Sequence, residues 1–356
     1  MVLSSKQLEC TRRCCPCQVI MHKIISYFSS TLGSDALLVQ GAGGNVSWKD
    51  GDTLWIKASG TWLADAAQRD IFVPLSLETV RALMLTGAES FTSAVVGTST
   101  ARPSIETSLH AALPHRIVVH VHPVDVLAIC ARKTGADLLA KRLDGLSWAL
   151  VPYAKPGVRL TAAVSDVCRQ CPAANVLVLA NHGLVVGGDT IEQVDDLLQD
   201  VSIRLRLDPR IPARSESGFE NSRGAVWEQY GYVPTGIPDW HAMAQDGAVL
   251  KLARDHWVMY PDHAVFLGAN ATIVSPAISG QDVERAIAHR PPYVFVEGLG
   301  VLERTDVTKA QRAMLQCFYD VAMRIDDASA VQSLSSVDVS DLLNWDAEKY
   351  RQQNSR

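Results

Sequence analysis

Apolar positions follow two periods along the chain, and together they predict alternating helices and strands. In MHKIISYFSSTLG, Ile24, Ile25, Phe28 and Leu32 recur at helical spacing, with Gly33 as a natural stop. LLVQ at 37–40 reads as a strand, GAGG as a Gly-rich turn, and NVSWK, Asp50-Gly51 and TLWIKAS as a hairpin. Further helices are predicted over 76–86, 104–113, 123–132 and 189–206, with Pro123 at a favourable first-turn position. Strands are predicted over 116–122, 148–152 and 175–180. Strands alternating with helices imply an α/β layer fold.

The polar run DPRIPARSESGFENSRG (208–224) reads as a linker. It divides a folded unit at 21–207 from a second α/β region at 225–327. Residues 1–20 read as a flexible tail, and 328–356 as a tail with a short helix and a loose end. One internal echo crosses the linker. VLVLANHGLVVGGDTIEQVDDLLQDVSIRL (176–205) and YVFVEGLGVLERTDVTKAQRAMLQCFYDVAMRI (293–325) share the order strand, turn, strand, helix. Aligning Gly183-Leu184 with Gly298-Leu299 sets His182 opposite Glu297. A degenerate copy and a chance likeness of strand-turn-helix units both explain this.

With 356 residues, 47% of them hydrophobic, the chain has material for a sizeable core. A net charge of −5 leaves no basic excess for general binding to nucleic acid. No apolar run reaches the ~20 residues that cross a bilayer. The first residues lack the apolar centre of a signal peptide, and the cysteines do not form an even disulfide framework, so a cytoplasmic location is expected. Cys10, Cys14, Cys15 and Cys17 crowd together, either as a metal site or as part of a mobile tail.

The stretch RIVVHVHP (116–123) carries the chemistry. Residues two apart on a strand share a face, so His120 and His122 present two imidazoles side by side in apolar surroundings. Buried imidazoles need partners, and a divalent cation supplies one. His182 follows another apolar strand in an Asn-His-Gly turn, and could reach the same point. Three histidines with one open position describe a catalytic zinc site. In RPSIETSLHAALPH, Ser104 is a candidate N-cap, which puts Glu106 in the first turn of a helix, facing the histidines. His110, one turn on, reads as a packing residue or one supporting the ligands. The glycines of GAGG serve a tight turn or a backbone nest for an anion. They fit neither a dinucleotide fingerprint nor a P-loop. Trp48, Trp55 and Trp62 read as packing residues, and Asp262 and His263 as a wall of the site.

The ordered set GGNVSWK, ASGTWL, PSIETSLH, VVHVHP, PYAKPG and NHGLVVGG resembles the class II aldolase/adducin family over roughly residues 25–205. The resemblance implies a three-layer α/β/α sandwich, here with an added C-terminal α/β region, assembled as a homo-oligomer, commonly a tetramer. Its metal histidines fall on His120, His122 and His182, and its acidic residue on Glu106. Its phosphate-binding residues fall on Gly44, Asn45, Ser59, Gly60 and Ser104, and a proton-donating tyrosine of a neighbouring subunit falls on Tyr153. The implied activity is that of a Zn2+-dependent aldolase, a lyase in carbohydrate metabolism. It would cleave a ketose phosphate or related sugar through a metal-stabilised enediolate, and another divalent metal would also fit. Decarboxylation of a sugar-acid phosphate and 4-epimerisation of a pentulose phosphate use the same site. A non-catalytic adducin-like binding module is the alternative of another class. Two departures stand out. Ser104 is followed by Ile105 where phosphate-binding members carry a second serine, and no role for residues 225–356 follows from the resemblance.

Overall fold

Seven strands form the first sheet: β1 (Asn45–Asp50), β2 (Thr53–Lys57), β3 (Phe72–Ser76), β4 (Ile117–Val121), β5 (Trp148–Val151), β6 (Val176–Leu179) and β7 (Gly183–Gly188). Their order is β3-β2-β1-β4-β7-β6-β5, antiparallel except for the β5–β6 pair. The structure is a computed structural model that describes residues 16–213 and 227–355. Alternation sorts β4 between two layers. Ile117, Val119 and Val121 face a core built with helices Pro16–Ser34 and Ile191–Leu205. Val118 faces a core built with Leu109 of helix Thr107–Ala112 and with Leu160 and Val164 of helix Val158–Gln170. Helices therefore cover both faces, which gives the α/β/α sandwich. His120 has the parity of Val118 and projects on the same side as Thr107–Ala112.

The second sheet holds β8 (Tyr232–Pro234), β9 (Thr272–Val274), β10 (Tyr293–Val296) and β11 (Gly300–Arg304), in the order β8-β11-β10-β9. The β9–β10 pair is parallel and the others antiparallel. This repeats the pattern of β4-β7-β6-β5, so the echo in sequence coincides with an echo in topology. Helix Val124–Cys130 lies between the halves. Its Val126 and Ile129 enter the first core. Its Val124, Leu127 and Ala128 join the core built with Trp240, Tyr260, Phe318 and Leu342. A short helix that is apolar at every position but one, Asp125, is stable only when covered on most sides, and here the two halves cover it, with Arg324 pairing Asp125.

Several elements differ from expectation. LLVQ at 37–40 is not a strand. The carbonyls of Leu37 and Leu38 instead accept hydrogen bonds from the amides of Val124 and His122, a local pairing without a ladder. The helix expected at 104–113 spans only Thr107–Ala112, with Glu106, not Ser104, at the N-cap. The cause lies in β2: Pro103 bridges Ala58, and the Ser104 amide donates to the Lys57 carbonyl, so the chain stays extended there. Residues 328–355 are not a loose tail. Helices Ser336–Leu343 and Asp346–Asn354 fold back onto the first unit, where Trp62 donates to the carbonyl of Ser355 at 3.3 Å. Residues 1–15, with Cys10, Cys14 and Cys15, and residues 214–226, which take in most of the expected linker and the first two residues of the region after it, lie outside the described residues. Among the described residues no helix is long and apolar enough to cross a membrane.

Candidate metal centre

β4 carries His120 as its penultimate residue, His122 follows directly after its last residue Val121, and the turn between β6 and β7 carries His182. That turn requires an unusual backbone. Asn181 sits at φ 48°, in the left-handed region that Asn tolerates better than most residues. Its side chain donates to the carbonyls of Met259 and Gln332, both at 3.0 Å, so the second half of the chain holds the turn. The following Gly183 leaves room for close approach. A Cβ there would stand 2.5 Å from the Val121 carbonyl oxygen and 2.9 Å from the His122 ring.

The three imidazoles converge, with potential ligand atoms all within 4.8 Å of one another. His120 donates its Nδ1–H to the Leu184 carbonyl at 3.0 Å, which leaves Nε2 as a bare lone pair. That Nε2 lies 3.1 Å from Nε2 of His122. Two facing nitrogens need a proton or a cation between them. Burial, and then the field of His120, hold His122 and His182 well below the ordinary histidine value, so both are neutral and suited to ligation. The donor chemistry fits a divalent metal ion bound by imidazole.

Glu106 faces this group. Its Oε2 lies 3.5 Å from His120 Nε2 and its Oε1 3.5 Å from His182 Nε2. Asn45, the first residue of β1, donates to Oε2 at 2.6 Å and fixes the carboxylate. The late helix start matters here. Glu106 makes no capping bond with its side chain, so the carboxylate is free to enter the cleft. The six-residue helix is too short to offer an N-terminal anion site of its own, and the Ser104 hydroxyl accepts from the Glu106 amide at 3.2 Å.

Gly44, Asn45, Ser59, Gly60 and Ser104 all line the cleft with Glu106, His122 and His182. Gly44 takes φ 64°, and a Cβ on it would stand 2.9 Å from the His120 carbonyl oxygen. Tyr153 is not brought to this cleft. Its buried hydroxyl has no hydrogen-bond partner, and burial, followed by Asp338 and Asp341, pushes it up. His110 packs beneath the site, its Nδ1 2.7 Å from the Ser47 hydroxyl. Trp48 and Trp55 stack at 5.4 Å, as packing residues do.

Four cleft groups escape the sequence reading or gain a sharper place. Lys57 is 2% exposed and donates to the carbonyls of Ala42 and Thr61, both at 2.8 Å. Burial, and then Arg351, bring it down to about 7. Asp262 lines the cleft, whereas His263 turns away against Tyr260 and Phe318. From helix Asp346–Asn354, Arg351 and Glu348 reach into the same space. Arg351 grips Asp262 with two bonds, at 2.7 and 2.6 Å, and contacts Glu348 at 3.2 Å. Helix Asp346–Asn354 also rests on Gly60, where a Cβ would meet Asn354 at 2.7 Å. The open cavity is about 20 Å³, close to what one water takes.

The model of the class II aldolase and adducin N-terminal domain matches residues 26–201, the stretch that contains every histidine of the centre and Glu106. Residues 26–201 belong to that family. The chain is also 31% identical over 182 residues to an uncharacterized oxidoreductase, YuxG, of Bacillus subtilis (strain 168). The match takes in 47% of this chain and 26% of the relative, so the chain spans about a quarter of that protein's length. Among solved structures, it is similar to the N-terminal class II aldolase domain of a conserved protein from Thermoplasma acidophilum. There the identity is 28% and the TM-score 0.45, over 51% of this chain and 90% of that one. A sugar-phosphate aldolase from Thermotoga maritima gives 17% identity and a TM-score of 0.41, over 53% of this chain and 95% of that one. The family match ends at residue 201, near the close of the first unit, and Asp262, Glu348 and Arg351 lie beyond it.

Proposed function

We propose that this protein is a divalent-metal-dependent carbon–carbon lyase acting on a ketose phosphate or related sugar, with zinc the favoured ion. The observation that carries the reading is the convergence of His120, His122 and His182 on the carboxylate of Glu106. A divalent cation bound there supplies Lewis acidity beside a carbonyl, which lowers the cost of charge left on carbon. The chain's own residues do the rest. Cleavage needs a proton taken from the hydroxyl next to the breaking bond, and a proton returned to the carbon that keeps the electron pair. Glu106 suits both transfers, since it is fixed by Asn45 and lies at the mouth of the imidazole group. Backbone at Gly44 and Gly60, with Asn45, Ser59 and Ser104, would hold the phosphate, and Lys57 adds a cation below. A sugar phosphate exceeds the open cavity, so the cleft lined by Glu348 and Arg351 has to widen as substrate enters.

The intact ligand set favours an enzyme over a non-catalytic binding module, which has no need of three buried imidazoles. A homo-oligomer belongs to the same proposal. Ile20, Ile24 and Tyr27 form an exposed stripe on helix Pro16–Ser34, as a face between copies would. The test is an assay of the zinc-loaded protein against a panel of ketose phosphates. Aldehyde release is expected, with a loss of about 10²–10⁴-fold in Glu106→Gln at unchanged metal content. Release of carbon dioxide from a sugar-acid phosphate would move the reading to decarboxylation. No cleavage by a zinc-loaded sample would overturn it.

A further inference from the structure

We infer that Asp262, held by Arg351, is a positioning residue for His122, so that the second half of the chain completes the metal site of the first. The inference rests on the metal-binding reading above and extends it beyond the family domain. Because Nε2 of His122 faces Nε2 of His120 at 3.1 Å, the opposite nitrogen, Nδ1, must find its partner elsewhere. His120 meets that need with the Leu184 carbonyl. His122 has no such carbonyl. Its Nδ1 is buried without a hydrogen-bond partner, and the Asp262 carboxylate stands 3.5 Å away through Oδ2. A movement of a few tenths of an ångström would bring the pair within hydrogen-bond range.

The surroundings are arranged for this contact. Asp262 lies in the first turn of helix Pro261–Leu267, and its side chain is 3% exposed. Arg351 takes one lone pair on each oxygen through its two nitrogens, which leaves Oδ2 a second lone pair for His122. A buried charge pair adds little stability by itself and is costly unless its remaining hydrogen-bonding sites are used. Gly43 supplies an independent sign. A Cβ at that position would lie 3.0 Å from His122 Nδ1 and 3.2 Å from Asp262 Oδ2, so a residue without a side chain flanks the line between them. A carboxylate behind a ligating histidine fixes the ring and makes its other nitrogen a stronger donor.

The experiment measures zinc and cobalt affinity of the full-length protein by competition with a chelator. Wild type, Asp262→Asn, His122→Gln and the double variant are compared. Asp262→Asn is expected to weaken binding by about 10–100-fold, and to add no loss once His122 is Gln. The visible spectrum of the cobalt form should shift in Asp262→Asn. Equal affinity in wild type and Asp262→Asn overturns the inference, as does an equal loss in both backgrounds, which marks a general structural effect. Failure of wild type itself to bind metal defeats the underlying reading instead. Should Asp262→Asn not fold, the loaded wild type decides. A slowly exchanging Nδ1 proton on His122 supports the inference, and metal bound through Nδ1 overturns it.

Discussion

At the residue scale, the site joins groups the sequence displays with groups it hides. His120 and His122 are legible because period-two spacing in an apolar strand leaves two imidazoles nothing to do but bind. Glu348 and Arg351 are not. DAEKYRQQN reads as a solvated helix, yet Glu348 is 1% and Arg351 8% exposed, because they bury charge against charge rather than apolar surface. Charge pairing across a fold leaves no periodic mark. The placement of Glu348 has a measurable consequence. Burial, opposed by Arg351, raises its carboxyl to about 7 from an ordinary 4.5. The folded state therefore binds the extra proton between these values. The stability Glu348 contributes is full below about pH 4.5 and fades as pH rises through 7. In Glu348→Gln that dependence is gone. Thermal unfolding across pH 5 to 8 should show the variant gaining on wild type as pH rises, by on the order of 2 kcal/mol at the upper end. A constant gap would contradict the assignment.

At the element scale, strands and turns set the site more strictly than helices do. β1, β4 and β7 lie side by side in register, Asn45 opposite His120 and His120 opposite Val185, which brings Asn45 and His120 together. Gly183 follows His182 and permits the ring of His122 to pass close to its backbone. Gly183→Ala should therefore cost about 1–3 kcal/mol through overpacking and weaken metal binding, read by thermal unfolding and by chelator competition. Unchanged affinity would show that the turn has slack. The hairpin of β1 and β2, and the strands β4 to β7, match their apolar alternation closely. The misread elements are those fixed by distant contacts. The helix predicted from 104 starts at Thr107 because β2 holds Pro103 and Ser104 extended, and LLVQ is drawn into irregular pairing by residues 122–124. Local propensity contains neither constraint.

At the scale of the whole molecule, the second half is neither appendage nor spacer. It repeats the strand pattern β4-β7-β6-β5 without the histidines: Glu297, at the place of His182, lies 3.7 Å from Arg254 instead. What it contributes is structural support and closure. It holds Asn181, seats Asp262 behind His122, and lays helix Asp346–Asn354 over the cleft. An α/β layer fold was readable from strand and helix alternation, and its three-layer form from the family resemblance, but this docking was not, since the contacts join residues far apart in sequence. The shared helix Val124–Cys130 makes the halves interdependent. Leu127→Ala, at a position 2% exposed, should cost about 2–5 kcal/mol, with both halves unfolding in one transition by calorimetry. Two separate transitions would show that the halves fold independently.

The central claim, that three imidazoles of two neighbouring strand ends gather one divalent ion beside Glu106, is tested most directly by anomalous diffraction from zinc-loaded crystals at the zinc edge. One strong peak is predicted, within about 2.0–2.1 Å of a ring nitrogen of each of His120, His122 and His182. A zinc-loaded crystal whose anomalous peaks all lie away from these three side chains would contradict the account.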